Sequence, residues 1–210
     1  MQITTGWRQI LSQPLVYDMM QRCIGGYSFK RRFLALHLGE AESETVLELG
    51  CGTGFVAECM PKTTYTGIDI SEKYIAAARQ RRLPRAEFLV CDCVRPTTLA
   101  GRKFDWILSN GLMHHLTIEQ CHALLAESAH LLKTDGKLVG MEPVWTDSQG
   151  VLERFIMNRD RGKNILTMEK WQELFARSFT SIHINVVSDS LRIPYSLIVF
   201  ECDGPRIMPI

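Results

Sequence analysis

The sequence predicts an α/β fold: a three-layer sandwich whose seven-stranded, mostly parallel sheet ends in an antiparallel hairpin and is preceded by extra N-terminal helices. Three observations carry this. From residue 45 onward, strand-like apolar runs alternate with amphipathic helical ones, the pattern of a parallel sheet covered by helices on both faces. The first run, Val46-Leu47-Glu48-Leu49, empties into Gly50-Cys51-Gly52-Thr53-Gly54. Glycine takes positive φ without steric cost and carries no Cβ, so such a turn lets a ligand lie directly on the backbone. The next two runs also close on acids, Asp69 after Tyr65-Thr66-Gly67-Ile68 and Asp92 after Phe88-Leu89-Val90-Cys91.

Two helices come first. Leu15, Val16, Met19, Met20, Cys23 and Ile24 recur at helical spacing after Pro14, and Phe29, Phe33 and Leu36 continue it beyond Gly25-Gly26. Parallel strands are expected at 45–49, 65–70, 86–91, 103–109 and 137–142. Between them, Ser71 caps a helix carrying Tyr74, Ile75 and Ala78, and Thr117-Ile118-Glu119-Gln120 reads as a capping box before Leu124, Leu125, Leu131 and Leu132. Lys133-Thr134-Asp135-Gly136 ends that helix, and Thr167 starts another with Trp171, Leu174, Phe175 and Phe179 on one side. The runs Ile182-His183-Ile184-Asn185-Val186 and Ser196-Leu197-Ile198-Val199-Phe200 are too close for a helical crossover, so they pair antiparallel. Residues 143–166 have no evident sheet role.

The 210 residues fit one domain, 1–210, organised as a helical cap (1–44), a core (45–142), an insertion (143–180) and a hairpin (181–202). An apolar fraction of 46% and a charged fraction of 22% are globular rather than disordered or fibrous. A net charge of +1 argues against a polyanion-binding surface, so no nucleic-acid partner is expected. Residues 1–8 lack a signal-peptide pattern, and no apolar run approaches ~18 residues, so a cytoplasmic protein without membrane insertion is expected. The seven cysteines are an odd number and scattered, which suits a reducing compartment. Cys91-Asp92-Cys93 is too tight for a zinc knuckle and no spaced second pair answers it, so no metal is expected.

Ligands of open α/β sheets bind outside the carboxyl ends of the strands, where chain order reverses, and the three acids lie at such ends. A dinucleotide fingerprint would carry a third glycine at position 55, where this chain has Phe55. Glu48 would repel a pyrophosphate and attract a cationic ligand, directly or through water.

Residues 46–54, Gly67-Ile68-Asp69-Ile70-Ser71, Asp92 and Phe104-Asp105-Trp106-Ile107-Leu108-Ser109-Asn110 resemble, in order, the motifs of class I S-adenosylmethionine-dependent methyltransferases. The resemblance spans roughly 45–142 and implies a Rossmann-like sheet, S-adenosylmethionine as cofactor and S-adenosylhomocysteine as product. It assigns Gly50 and Gly52 to the methionyl end, Asp69 to both ribose hydroxyls, Asp92 to the adenine amino group, and Asn110 and His115 to the methionine moiety. Glu48, Cys51, Ile70 and Cys93 complete the expected cofactor set. A carboxylate accepts two hydroxyl donors well, which is an independent reason for Asp69.

Methyl transfer from a sulfonium is an in-line displacement with an activated leaving group, so a protein contributes orientation, desolvation and sometimes a base. His114 and His115 follow the fourth strand, and either imidazole is a candidate base near neutral pH. Glu142 competes for the same role. The resemblance implies that acceptor specificity comes from outside the shared sheet, here 1–44 and 143–180. Tyr17, Trp145 and Arg159 are the expected acceptor-side residues, with Phe29, Phe155 and Trp171 as further apolar candidates, although aromatics at helical spacing are more often core. Nucleic-acid amino-group methyltransferases often carry Asn/Asp-Pro-Pro-Tyr/Phe after the fourth strand, whereas this chain reads Ser109-Asn110-Gly111-Leu112. The expected activity is therefore methylation of a small-molecule acceptor, a natural product, quinone or lipid-like compound. An NAD-dependent oxidoreductase, or a relative that binds the cofactor without transferring methyl, are the alternatives.

Overall fold

The computed structural model describes residues 13–39, 44–162 and 164–206; the stretch 1–8 read for targeting lies outside them. Helices α1 (Pro14–Ile24) and α2 (Gly26–His37) precede the sheet. The strands are β1 (Thr45–Leu49), β2 (Thr64–Asp69), β3 (Ala86–Val90), β4 (Phe104–Asn110), β5 (Leu132–Trp145), β6 (Leu166–Thr167), β7 (Phe179–Val187) and β8 (Leu197–Pro205). Between them run α3 (Phe55–Cys59), α4 (Glu72–Arg79), α5 (Ile118–Leu131), α6 (Val151–Met157) and α7 (Met168–Ala176).

The sheet order is β3-β2-β1-β4-β5-β8-β7, with the short β6 beside β5. Strands β1 to β5 are mutually parallel, while β8 lies antiparallel to both β5 and β7. Successive strand residues point to opposite faces, and each face has its own core. Leu47, Leu49, Ile68, Ile107 and Phe200 pack with Leu124 and Leu125 of α5 and with Trp171 and Phe175 of α7. Val46, Tyr65, Leu108, Val139 and Val199 pack with Phe33 of α2, Val56 of α3 and Ile75 of α4. Among the described residues no helix is long and apolar enough to cross a membrane.

The expected caps form. The Ser71 side chain accepts from the Tyr74 N–H, and Thr117 and Gln120 exchange both bonds of a capping box. Three boundaries differ from expectation. Strand β5 starts at Leu132 and reaches Trp145, because the polar stretch after Leu132 is a bulge: Phe104 pairs with Leu132, but Trp106 pairs with Lys137. Helix α7 ends at Ala176, and Phe179 instead opens β7, where it remains fully buried in the same core. Part of 143–166 does join the sheet, since Val144 and Trp145 pair with Leu166 and Thr167.

Strand β1 has β2 on one side and β4 on the other, so chain order reverses between β1 and β4. That switch point collects the loops after Leu49, Asp69 and Asn110.

Candidate active site

After β1 the backbone turns through Gly50 and Gly52, at φ +67° and +55°. A Cβ on Gly52 would meet nothing nearer than Tyr17 Cε1 at 3.9 Å, because the space beside it belongs to a cavity of about 870 Å³. Gly50, Gly52, Asp69, Ile70, Asp92, Cys93, Asn110 and His115 all line that cavity. A pocket near the upper end of the roughly 300–1,000 Å³ range has room for more than one small ligand.

Asp69 is fixed by the backbone. Its Oδ2 accepts from the Gly52 N–H at 3.0 Å and its Oδ1 from the Ser71 N–H at 2.8 Å. A carboxylate has about four acceptor sites, so two remain for a ligand. Burial pushes the Asp69 carboxyl above its ordinary value, with the Ser71 and Gly52 N–H groups pulling it back. Asp92 is exposed at the rim, its Oδ1 accepting from Val94 N–H at 2.9 Å. Ile70, which also lines the cavity, is an apolar side chain left 73% exposed.

Two expected cofactor contacts are corrected. Glu48 does not line the cavity: it is buried beneath the turn, where it accepts from the Tyr65 hydroxyl and from Asn110 Nδ2 at 3.2 Å. Burial raises its pKa, against the pull of Lys30 and of those donors. Glu48 orients the Asn110 amide instead, leaving Asn110 Oδ1 buried without a hydrogen-bond partner. Cys51 is likewise turned inward, and a Cβ on Gly67 would lie 2.9 Å from its Sγ. Phe55 is buried and stacked on Tyr27, ring centroids 3.7 Å apart.

Beyond β4 a single 3-10 turn, Met113–His115, carries both candidate histidines. The turn is gathered by Glu142, whose Oε1 accepts from the N–H groups of Leu112 at 2.8 Å and Met113 at 2.7 Å. Its Oε2 accepts from His114 N–H at 3.3 Å and lies 2.7 Å from His114 Nδ1. Glu142 is fully buried and does not line the cavity, so its expected role as a base is corrected to holding this turn.

His114 is corrected too. Its other nitrogen, Nε2, lies 3.3 Å from Asp160 Oδ1. Burial alone would lower its pKa, but the hydrogen bonds and charges of Asp160 and Glu142 prevail and raise it to about 9. At neutral pH it is an imidazolium with both N–H groups spent, and it has no lone pair with which to take a proton. His115 is pushed the other way, to about 3, by burial and then by the charge of His114. It therefore faces the cavity as a neutral, weakly basic ring.

Asp160 also receives the Gly162 N–H at 2.7 Å on Oδ1 and the Tyr195 hydroxyl at 2.8 Å on Oδ2. Burial opposes its ionisation, yet His114, Gly162 and Tyr195 together hold its carboxyl well below the usual range. Among the described residues His114, His115 and Asp160 bring metal-type donor atoms within 4.8 Å of one another. Any ion there would have to displace the proton that His114 shares with Asp160.

Of the expected acceptor-side residues, Tyr17 and Arg159 line the cavity, and so do Phe29 and Phe155. Trp145 does not: it is held in β5 opposite Thr167. Trp171 is core, its Nε1 donating to the Pro143 carbonyl at 3.1 Å. Lys30, Met141, Ile193, Tyr195 and Leu197 line the cavity with no motif to announce them; only Pro194 marks a loop before Tyr195.

Residues 46–136 match a family model described as a methyltransferase domain. Over that stretch the chain is similar to the class I S-adenosylmethionine-dependent methyltransferases. Its family-matched stretch carries Gly50, Gly52, Asp69, Asp92, Asn110 and both histidines, whereas Tyr17, Asp160 and Tyr195 lie outside it. Among relatives, a malonyl-acyl-carrier-protein O-methyltransferase of Bacillus anthracis is 34% identical over 92 residues, covering 35% of this chain and 34% of that protein. A ubiquinone biosynthesis O-methyltransferase of Idiomarina loihiensis is 27% identical over 111 residues, 50% of this chain and 45% of that one. The match thus spans less than half of either relative. In fold, the chain is similar to a magnesium protoporphyrin IX methyltransferase from Synechocystis with bound S-adenosylhomocysteine, with a TM-score of 0.67, 18% identity, and coverage of 88% and 87% of the two chains.

Proposed function

We propose that this chain transfers the methyl group of S-adenosylmethionine to a small, largely apolar acceptor, a natural product, quinone or lipid-like compound. One observation carries the reading: Asp69, with two acceptor sites unspent, and Asn110, whose buried Oδ1 has no hydrogen-bond partner, line the same cavity as Gly50 and Gly52, which present no Cβ to it. Buried polar atoms are rarely left unpaired, and this set fits a ligand with an ammonium group and a ribose diol. When bound, S-adenosylmethionine supplies an electrophilic methyl on a sulfonium.

In this reading Gly50 and Gly52 admit the methionyl end, Asn110 accepts from its ammonium group, Asp69 accepts from both ribose hydroxyls, and Asp92 takes the adenine amino group. Ile70, otherwise exposed, covers the adenosine. The names of the relatives, which include malonyl-acyl-carrier-protein, ubiquinone and protoporphyrin methylation, support a small acceptor. With His114 cationic and His115 weakly basic, the residues contribute orientation and exclusion of water rather than strong base catalysis.

The test is a thermal-shift comparison of S-adenosylhomocysteine with NADH. Saturation at about a hundred times Kd stabilises a folded protein by roughly 2.7 kcal/mol. A rise in Tm with S-adenosylhomocysteine alone is expected, and a rise with NADH alone rejects the reading.

A further inference from the structure

The acceptor half of the cavity is walled by apolar side chains, Met20, Ile24, Phe29, Met141, Ile193 and Leu197 among them. Set into this wall is a polar edge made by Asp160 and Tyr195, which both line the cavity. Among the described residues, the protons that lie against Asp160 are already committed to it. The two ring nitrogens of His114 face Glu142 and Asp160, the Tyr195 hydroxyl donates to Asp160, and so does the Gly162 N–H. Three of about four acceptor sites on Asp160 are used, and its side chain remains 24% exposed.

Two cations that line the same cavity, Arg159 and Arg161, are engaged with other residues of its wall. The Arg159 guanidinium lies 3.5 Å from the centre of the Phe155 ring, and Arg161 is hydrogen-bonded to Tyr74. The edge is also rigid: a Cβ on Gly162 would lie 2.0 Å from His114 Cδ2, so the Asp160 segment is packed directly onto the histidine.

The geometry points to an accepting edge, Asp160 Oδ2 with the Tyr195 phenol oxygen, that fixes an apolar methyl acceptor through a hydroxyl of its own. This rests on, and deepens, the methyltransferase reading. An edge with lone pairs and no free proton selects a donor. An ether or ketone finds no partner there, and a carboxylate meets the charge of Asp160. The pair acts in recognition; its low-lying carboxyl is a fixed acceptor, and the hydroxyl need not be the atom methylated.

The experiment titrates three probes calorimetrically into the full chain saturated with S-adenosylhomocysteine: 4-hexylphenol, its methyl ether 4-hexylanisole, and 4-hexylbenzoate. A hydrogen bond to a charged group predicts that the phenol binds about tenfold or more tightly than the ether, with the benzoate weaker than the phenol. Asp160→Ala should abolish that preference, and Tyr195→Phe should reduce it, both with S-adenosylhomocysteine affinity retained. Should Asp160→Ala fail to fold, Tyr195→Phe carries the test. Equal binding of phenol and ether, tighter binding of benzoate, no binding of any probe, or a preference unchanged in the folded variants overturns the inference. If S-adenosylhomocysteine itself does not bind, the methyltransferase reading falls with it; if it binds and the probes are not distinguished, only this inference does.

Discussion

The Nδ1 of His114 lies 2.7 Å from Oε2 of Glu142, and this contact ties the turn after β4 to strand β5. Through Nε2 the same ring reaches Asp160, and Asp160 reaches Tyr195 just before β8. Elements far apart in the chain are thereby locked beside the cavity by one imidazolium between two carboxylates. The side of the cavity at the glycine turn is built differently, from backbone N–H groups on Asp69 and the amide of Asn110.

Glu142→Gln should destabilise the fold sharply. A glutamine keeps the shape but leaves the His114 cation without its buried counter-charge and has one carbonyl oxygen where four donors now converge. Breaking a buried ion pair from one side costs about 3–5 kcal/mol. Urea unfolding at neutral pH checks this, and a loss below about 1 kcal/mol, the scale of exposed pairs, would contradict it.

The same clamp makes stability depend on pH. The folded pKa of His114, about 9, lies above its ordinary value of 6.5. Its contribution is therefore complete below about pH 6.5 and is lost as pH rises through about 9. The difference amounts to roughly 3 kcal/mol at 1.36 kcal/mol per unit. Buried thiols and phenols also titrate in alkali, so the measurement compares the wild type with His114→Asn, in which those groups are shared. The stability gap between the two should narrow by about 3 kcal/mol between roughly pH 6 and pH 10; a constant gap excludes the clamp.

Gly52→Ala should separate binding from folding. A positive φ of 55° costs a non-glycine residue about 1–2 kcal/mol, and the new methyl would enter the cavity rather than the core. The variant should fold with a modest drop in Tm while S-adenosylhomocysteine affinity falls at least about tenfold, some 1.4 kcal/mol. Unchanged affinity would mean that no ligand rests on this turn.

How much of this was legible follows from how local each signal is. Strand β1, its glycine turn and the acids Asp69 and Asp92 could be read because each lies within a few residues of the strand that positions it. Ser71 and Thr117 could be read as caps for the same reason. Glu48 was misread as facing the ligand because its partners, Tyr65 and Asn110, come from neighbouring strands that no local pattern links to it. The Glu142–His114 and Asp160–Tyr195 contacts span 28 and 35 residues, so His114 looked like a free base when it is a clamped cation. Trp145 looked like an aromatic in a loop because Pro143 interrupts the run, yet β5 continues through it to pair with β6, a partner that no local pattern announces.

Central to the account is the proposal that the Asp69 carboxylate, at the end of β2, holds a ribose beside a turn whose Gly50 and Gly52 present no Cβ to the cavity. Calorimetric titration of S-adenosylhomocysteine into the wild type and Asp69→Ala tests it most directly. One site per chain is expected in the wild type, and the variant, still folded, should lose about 1.5–3 kcal/mol of binding free energy with two charge-assisted hydrogen bonds. No binding by the folded wild type, or equal affinity in the two, would contradict the account.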